Sequence, residues 1–365
     1  MLRAAPCCLM TLALAAHAAP PELAPSERAL TLAFAERGGA RTAFLVAAAG
    51  EDSVSAVALG PGDAFAALAA RSEAELTALL RDGPREQLAL AELLPVLEGA
   101  QHVAGGANYA AHGAEVGAAA PFLFPKLVTP TPWQSQLAVQ PGWLLDYEVE
   151  LALVFDRDIE SASDLTAARA GVFLIDDFTE RAQLALEADL STPGVGAGFA
   201  DAKGKPGFLP TGPFLVVPRD WRAFVRDCEI RLHVNGRERQ RARGGQMVWD
   251  VDELVRRTLA LGATQRFRYA GEPIALTPGR IPRGTGLLTG TPAGVAFRTP
   301  GTGFVTVNAA WWAASFAFLD GGVQEFVTRR WVEKLREDGV FLRAGDVVIA
   351  EGRGLGAIVT QIVVP

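Results

Sequence analysis

The strongest constraint on the fold is a series of short apolar runs, each bounded by Gly or Pro, that begins near residue 100. Runs of four to eight residues with such borders are typical of β-strands. Asn235-Gly236 follows one of these runs, and this pair favours the tight turn of a β-hairpin. The clearest runs are residues 151–155, 171–175, 214–217, 229–234 and 346–350. The sequence therefore predicts a β-dominated α+β protein.

A smaller unit precedes this region. Strands are predicted between residues 29 and 59, and residues 64–80 have the apolar spacing of a helix. We therefore expect a small α+β domain over residues 19–100 and a larger domain over residues 101–365. Near the end of the larger domain, residues 324–336 predict an amphipathic helix.

The first 18 residues have the pattern of a secretory signal peptide. Arg3 gives the positive start, residues 4–16 are mostly apolar, and residues 16–18 read Ala-His-Ala, a small-residue cleavage site. The apolar stretch is short for a membrane span, so we expect no membrane contact in the mature form. This pattern predicts a periplasmic or secreted protein. The alternative is a mis-assigned start, which would make the protein cytoplasmic.

Charge and motif content exclude several classes of function. Lys and Arg number 34 against 41 Asp and Glu, and no basic tract occurs, so we expect no nucleic-acid partner. Beyond the leader Cys228 is the single cysteine, which excludes an intrachain disulfide and a zinc site built of thiolates. No P-loop and no G-x-S-x-G motif occurs. We expect a small-molecule substrate and chemistry that depends mostly on carboxylates.

Acidic side chains alternate along residues 144–151, where the sequence reads Leu-Leu-Asp-Tyr-Glu-Val-Glu-Leu. In a strand, Asp146, Glu148 and Glu150 would share one face. The apolar run 171–175 ends in Asp176-Asp177, so one of these two acids could join them. Three carboxylates with no thiolate or imidazole suit Mg²⁺, Mn²⁺ or Ca²⁺. The alternative is an edge strand with a solvated acidic face.

Three further residues have side chains suited to catalysis. His112 and Glu115 are three residues apart, so on a helical turn they share a face, and the carboxylate could orient the imidazole as a general base. Lys203 could steady a developing enolate, although a lysine in a surface loop is the simpler interpretation. The glycine-rich loop around residues 289–294 could place backbone N–H groups near an anion, or it could be a structural turn.

Taken together, these segments resemble the fumarylacetoacetate hydrolase family from about residue 100 to the end. The motifs follow one another in the order of that family. They are N-Y-x-x-H-x-x-E at 108–115, F-P-K at 124–126, D-Y-E-x-E-L at 146–151, D-x-x-x-R at 177–181, K-G at 203–204, G-P at 212–213, H-V-N-G at 233–236, T-G-T-P-A-G-V at 289–295 and G-D-V-V at 345–348.

The resemblance implies a fold, a reaction class and a set of site residues. The fold would be a mixed β-sandwich roll, usually dimeric. The reaction would be cleavage of a C–C bond in a 1,3-diketo acid such as an acylpyruvate or fumarylacetoacetate. Decarboxylation or tautomerisation of oxaloacetate, or a related isomerisation, is the alternative on the same metal site. The implied residues are Glu148, Glu150 and Asp177 for the metal ion, usually Mg²⁺, His112, Glu115 and Lys203 for catalysis, and Tyr109, Lys126, Arg181 and Thr291 for the substrate.

The sequence departs from the family pattern in three places. Residues 181–184 read Arg-Ala-Gln-Leu where the family often has R-D-x-Q, and Pro206 stands where an Asp is common. An insertion of about 40 residues, near 297–338, separates the T-G-T-P loop from the last strands. These differences leave two other hypotheses open: a non-catalytic periplasmic relative that binds a metabolite, and a calcium-stabilised structural protein that uses the insertion as a contact surface.

Overall fold

The computed structural model describes residues 21–188, 195–319 and 321–365. The predicted signal peptide, residues 1–18, lies outside the described residues and stays a prediction. Within the described ranges, no helix has both the length and the apolar character that crossing a membrane requires.

Nineteen strands and ten α-helices occur in the described part of the chain. The strands are β1 Ala29–Arg37, β2 Ala40–Ala49, β3 Ser53–Pro61, β4 Glu86–Ala89, β5 His102–Gly106, β6 Phe122–Lys126, β7 Gln134–Ala138, β8 Leu145–Asp146, β9 Val149–Phe155, β10 Ala170–Asp176, β11 Thr179–Glu180, β12 Leu215–Pro218, β13 Glu229–Val234, β14 Arg237–Arg243, β15 Phe267–Tyr269, β16 Glu272–Ile274, β17 Leu287–Leu288, β18 Val347–Gly352 and β19 Gly356–Val363. The helices are α1 Ala64–Ala69, α2 Glu73–Asp82, α3 Ala110–Val116, α4 Ala162–Ala167, α5 Arg181–Glu187, α6 Phe199–Lys203, α7 Trp221–Asp227, α8 Val251–Leu261, α9 Thr302–Ala314 and α10 Val323–Asp338.

The largest sheet has ten strands in the order β4-β3-β2-β1-β12-β10-β9-β17-β5-β6. Its strands β1 to β4 come from the predicted N-terminal unit and join the rest through β1, in which Leu32 pairs with Leu45 of β2 and with Leu215 of β12. Hydrogen bonding therefore continues across the expected boundary near residue 100. The division into two domains stays a prediction.

A second sheet of five strands, in the order β14-β13-β18-β19-β7, lies against the first. The predicted hairpin joins β13 to β14, and its turn residues Asn235 and Gly236 both have positive φ, 51° and 77°. Apolar side chains of both sheets form one core, for example Leu174 of β10 against Leu355 beside β19. The β-dominated α+β fold class is thus confirmed.

The acidic segment is not the continuous strand that alternation predicted. It divides into β8 and β9, and Tyr147 and Glu148 lie between them in neither strand. The break has a hydrogen-bonding cause: the Glu148 N–H donates to the Asp176 side chain at 2.7 Å, and the Val149 N–H donates to the Gln240 side chain at 3.1 Å. Side chains there replace partners that a strand ladder would supply.

The predicted helix over residues 64–80 is two helices. Helix α1 ends at Ala69, and Ser72 caps the start of α2 by accepting from the Glu75 N–H while Glu75 accepts from the Ser72 N–H. This reciprocal capping box satisfies two backbone donors that would otherwise lack partners, so it favours a new helix start. Periodicity alone did not reveal the interruption.

The predicted insertion, near 297–338, contains α9 and α10. Helix α10 covers the helix α5 that follows the acidic site, and the two share a small apolar cluster. The fully buried members of that cluster are Leu144, Ala182, Val332, Leu335 and Phe341. Helix α9 is mostly exposed, with Asn308 as its one buried residue. The insertion therefore packs against the helix next to the acidic site.

Because a histidine on β5 is buried, we expect the free energy of unfolding to fall in acid. Burial, aided by the positive charge of Lys126, lowers the pKa of His102 from 6.5 to about 4. The unfolded chain takes up this proton near pH 6.5 and the folded chain does not, so the stability present above pH 6.5 falls as the pH drops towards 4. The full effect is about 3 kcal/mol, from 1.36 kcal/mol per pKa unit.

Urea unfolding at pH 7 and pH 4.5 measures this effect. His102→Gln should reduce the difference between the two unfolding free energies, whereas His233→Gln, which changes a part-exposed histidine, should leave it as in the wild type. An unchanged pH dependence in His102→Gln would show that His102 is not the group responsible.

Candidate metal centre and catalytic dyad

Three carboxylates meet where β9 and β10 lie side by side. The antiparallel register pairs Glu150 with Ile175, and the Asp177 N–H donates to the Glu148 backbone oxygen at 2.9 Å. One carboxylate oxygen from each of Glu148, Glu150 and Asp177 lies within 4.8 Å of the others, and all three residues are buried. The structure thus brings together the three residues that the sequence predicted as metal ligands.

Two cations lie within this carboxylate cluster. The Lys203 ammonium donates to Glu148 at 2.5 Å, to Asp177 at 2.9 Å and to the Thr179 hydroxyl at 2.7 Å. The Arg181 guanidinium bridges Glu148 and Asp146, at 2.8 Å to the latter. Burying anions is costly unless cations and hydrogen bonds accompany them, and these two side chains supply both.

A third cation supports the cluster from behind. Lys126 is fully buried, and its ammonium donates to Asp177 at 2.5 Å and to the backbone oxygens of Lys203 and Phe208 at 2.6 and 2.8 Å. These bonds hold the Asp177 carboxylate and the end of α6 together. The predicted substrate contact of Lys126 stays a prediction, because in this structure the ammonium faces protein atoms.

Two carboxylates of the triad differ in the direction of their pKa shifts. Burial raises the pKa of Glu148, but Lys203 and Arg181 outweigh that effect and lower it to about 2. Burial together with the charges of Asp177 and Glu148 raises the pKa of Glu150 well above its usual value. Among the described residues no cation hydrogen-bonds to Glu150, whose carboxylate accepts from the Gly290 N–H at 2.8 Å.

The donor set fits a divalent cation. In the described part of the chain, three cations hydrogen-bond to the carboxylate cluster, and none of them donates to Glu150. A divalent ion at the triad would supply the positive charge that Glu150 lacks. Carboxylate oxygens are also the hard ligands that Mg²⁺, Mn²⁺ and Ca²⁺ prefer. These residues could therefore hold such an ion.

Asp146 and Asp176 are the two acids of the cluster outside the metal triad. Asp146 accepts from the backbone N–H groups of Ala296 and Phe297 at 2.8 and 3.1 Å, so it links Arg181 to the start of the insertion. One Asp176 oxygen accepts from the Glu148 N–H, and the other is buried with no hydrogen-bond partner within the described ranges. Both acids position their neighbours.

The predicted dyad forms on α3. The His112 Nδ1 and a Glu115 oxygen are 3.4 Å apart, and His112 is buried. Burial raises the pKa of Glu115, but hydrogen bonds from His112 and the Gly294 N–H, with the charge of Arg298, lower it overall. Glu115 is therefore an anion that can orient the imidazole and stabilise its protonated form.

One loop connects the dyad to the metal triad. The Gly290 N–H donates to Glu150, and the Gly294 N–H donates to both oxygens of Glu115, at 3.0 and 3.1 Å. Gly294 has a φ of 118°, and a Cβ there would lie 1.8 Å from the Arg239 backbone oxygen, so only glycine fits. The loop therefore fixes both halves of the site with backbone donors four residues apart.

The remaining predicted substrate residues line the same region. Tyr109 is buried, its hydroxyl has no hydrogen-bond partner among the residues that the structure describes, and burial together with the charge of Glu150 raises its pKa. Thr291 donates to the Val149 oxygen at 2.9 Å and accepts from Gln240 at 2.8 Å. The predicted substrate contacts of Tyr109, Arg181 and Thr291 stay predictions.

Gln240 is a supporting residue that the sequence interpretation missed. It is buried on β14, accepts from the Val149 N–H and donates to Thr291 and to the Pro292 oxygen, at 2.8 and 2.7 Å. The sequence held a signal: residues 237–243 read Arg-Glu-Arg-Gln-Arg-Ala-Arg, and the two uncharged residues alternate. Period two places both on the face that the structure buries.

The chain matches the family model described as fumarylacetoacetate (FAA) hydrolase C-terminal over residues 101–363. That match covers well over half of the chain, which therefore belongs to the fumarylacetoacetate hydrolase family. Proteins of this family are enzymes, among them hydrolases, isomerases and decarboxylases, and they generally depend on a divalent metal ion.

Two curated relatives and one solved structure illustrate the similarity. The mitochondrial oxaloacetate decarboxylase of Dictyostelium discoideum is 29% identical over 219 residues, which cover 56% of this chain and 86% of that protein. A 2,4-didehydro-3-deoxy-L-rhamnonate hydrolase of Sphingomonas sp. is 30% identical over 152 residues, 41% of this chain and 44% of that protein. Fumarylacetoacetate hydrolase of Exiguobacterium antarcticum superposes with a TM-score of 0.55 at 20% identity, covering 92% and 100%. That structural likeness concerns the fold alone.

Proposed function

We propose that this protein is a divalent-metal-dependent hydrolase that cleaves a C–C bond in a 1,3-diketo acid of the acylpyruvate or fumarylacetoacetate type. One observation carries the proposal: the loop of residues 290–294 ties a buried carboxylate triad to a His–Glu dyad. A triad alone would serve an enolisation. A dyad that can activate water adds the second requirement of hydrolysis.

The ion that we propose at Glu148, Glu150 and Asp177 is Mg²⁺, with Mn²⁺ or Ca²⁺ as alternatives, and when bound it would polarise substrate oxygens as a Lewis acid. His112 removes a proton from water, and Glu115 stabilises the resulting imidazolium. The hydroxide forms a C–O bond with the carbonyl carbon farther from the triad, and the C–C bond breaks. The bonding electron pair stays on the leaving enolate, near the Lys203 ammonium, and His112 returns the proton.

The test is a panel of acylpyruvates and oxaloacetate, with loss of the ultraviolet enol band as the signal. We expect acylpyruvate cleavage that EDTA abolishes and that added Mg²⁺ restores, with equal amounts of the two acid products. Binding of acylpyruvates without products would support the non-catalytic metabolite-binding relative. Stabilisation by Ca²⁺ with no keto-acid binding would support the structural alternative.

The second candidate is decarboxylation or tautomerisation of oxaloacetate, which needs the enolate but not the activated water. The similarity to the oxaloacetate decarboxylase of Dictyostelium discoideum supports it. Turnover of oxaloacetate with no cleavage of any acylpyruvate would establish this candidate.

The proposed function identifies the kind of small molecule that the protein binds, but it does not bear on the oligomeric state or the location. A keto-acid substrate is the partner that the site supports, and nothing in it calls for nucleic acid. The homodimer and the periplasmic or secreted location stay predictions, the first from the family resemblance and the second from residues 1–18.

A further inference from the structure

The insertion of residues 297–338 begins directly at the catalytic dyad. The Arg298 guanidinium lies 3.0 Å from a Glu115 oxygen, and the Thr299 N–H donates to the Glu115 backbone oxygen at 3.4 Å. Two consecutive residues of the insertion therefore contact the residue that orients His112.

Contacts other than the ion pair with Glu115 already fix the position of Arg298. Its guanidinium donates to the backbone oxygens of Val295 and Phe297, at 2.7 Å to the latter. Its own backbone oxygen accepts from the Trp331 indole N–H at 2.9 Å. A surface ion pair usually contributes little, since ordering two flexible side chains offsets the attraction. Here the arginine is already ordered, and the Glu115 side chain is only 17% exposed, so the charge interaction is less screened.

Both helices of the insertion support this arrangement. Trp331 lies on α10, and its ring packs edge-to-face against Phe304 of α9, with centroids 4.8 Å apart. Trp331 also packs against the apolar cluster between α10 and α5. The two helices therefore set the position of the Arg298 backbone.

We propose that Arg298 is a positioning residue for the dyad, and that the insertion exists in part to deliver it. Its positive charge holds Glu115 as an anion, and its fixed guanidinium aims the carboxylate at His112. Glu115 then has three partners, His112, Gly294 and Arg298, and His112 points its other ring nitrogen away from Glu115. The catalytic consequence rests on the proposed function, whereas the geometric claim does not.

The first test measures geometry without turnover, on the full-length protein labelled with ¹⁵N-histidine. The His112 ring resonances are assigned by their absence in His112→Gln. We expect Arg298→Gln to shift these resonances, Arg298→Lys to restore most of the wild-type position, and both to leave His102 and His233 unchanged. The matched control is Arg329→Gln, an exposed α10 arginine that pairs with Glu325. Wild-type His112 resonances in Arg298→Gln would overturn the proposal.

The second test measures turnover of the best substrate in the panel. We expect Arg298→Gln to lower kcat by about tenfold, which is less than the 10²- to 10⁴-fold that the positioned acid–base group itself contributes, with KM and Mg²⁺ affinity within twofold of wild type. Arg298→Lys should recover part of kcat, and Trp331→Phe, which keeps the ring but loses the N–H, should show a smaller loss. A change in KM or Mg²⁺ affinity with kcat unchanged would contradict a role through the dyad.

These two tests separate the inference from the proposed function. If the wild type cleaves no diketo acid but Arg298→Gln shifts His112, the proposed reaction fails and the positioning role stands. If cleavage occurs and Arg298→Gln changes neither the resonances nor kcat, the reaction stands and the positioning role fails. Arg298 is half exposed beside a cavity of about 380 Å³, so its replacement leaves no buried gap.

Discussion

Glu148→Gln is expected to abolish binding of the divalent ion and to reduce turnover by about 10³-fold, the upper end of the loss caused by removing one preorganised electrostatic group from an active site. The amide keeps the size of the side chain but removes the negative charge that an ion needs. Isothermal titration with Mg²⁺ and Mn²⁺, and the enol-band assay, measure the two losses. Binding of Mg²⁺ at wild-type affinity would contradict the assignment of Glu148 as a ligand.

Glu148→Gln should also destabilise the protein, and this has to be separated from the loss of the ion. Lys203 and Arg181 would each lose a buried anionic partner, and breaking such a pair costs about 3–5 kcal/mol. Glu150 is the informative comparison, because no cation in the described part of the chain hydrogen-bonds to it and burial raises its pKa. We expect Glu150→Gln to lose ion binding while its free energy of unfolding stays at or above that of the wild type.

If both variants lose the ion but only Glu148→Gln is destabilised, then the two carboxylates share a ligand role and differ in their electrostatic support. Glu351→Gln, at a half-exposed position on β18, is the control for replacing a carboxylate by an amide. Equal destabilisation of Glu148→Gln and Glu150→Gln would show that Lys203 and Arg181 do not form the ion pairs with Glu148 that the structure shows.

The metal triad could be predicted from sequence because its parts obey simple periodicities. Glu148 and Glu150 are two residues apart beside a strand, and Asp177 follows a buried strand that pairs with it. What the sequence does not encode locally is the pairing partner. Strand position alone left Asp176 and Asp177 equivalent, and the family resemblance implied Asp177. In the structure Asp176 accepts from the Glu148 N–H, and Asp177 is the one of the two that lies with Glu148 and Glu150.

Most contacts that hold the site residues in place could not be predicted from the sequence. Lys126 was expected to meet the substrate, and in the structure its ammonium bonds to Asp177 and to backbone oxygens some 80 residues away along the chain. Contacts over such separations depend on the packing of β6 against α6, which no periodic pattern specifies. The break between β8 and β9 has the same origin, since side chains from β10 and β14 take its backbone donors.

His112→Gln is expected to retain ion binding and to lose hydrolysis by about 10²- to 10⁴-fold, the range that a positioned general base contributes. The amide fills most of the buried space of the imidazole and can still reach Glu115, so the fold should persist. Enolisation of the substrate depends on the triad and Lys203, not on the dyad, and should therefore continue. Hydrogen–deuterium exchange at the carbon between the two carbonyls measures enolisation, and product formation measures hydrolysis.

The ratio of the two rates distinguishes the candidate reactions. In a hydrolase, His112→Gln should exchange deuterium at close to the wild-type rate while products disappear, and Glu115→Gln should show the same change to a smaller extent, since it weakens His112 without removing it. In an oxaloacetate decarboxylase or tautomerase, His112→Gln should leave both rates near those of the wild type. Full cleavage of an acylpyruvate by His112→Gln would remove the dyad from the mechanism, and with it the argument for activated water.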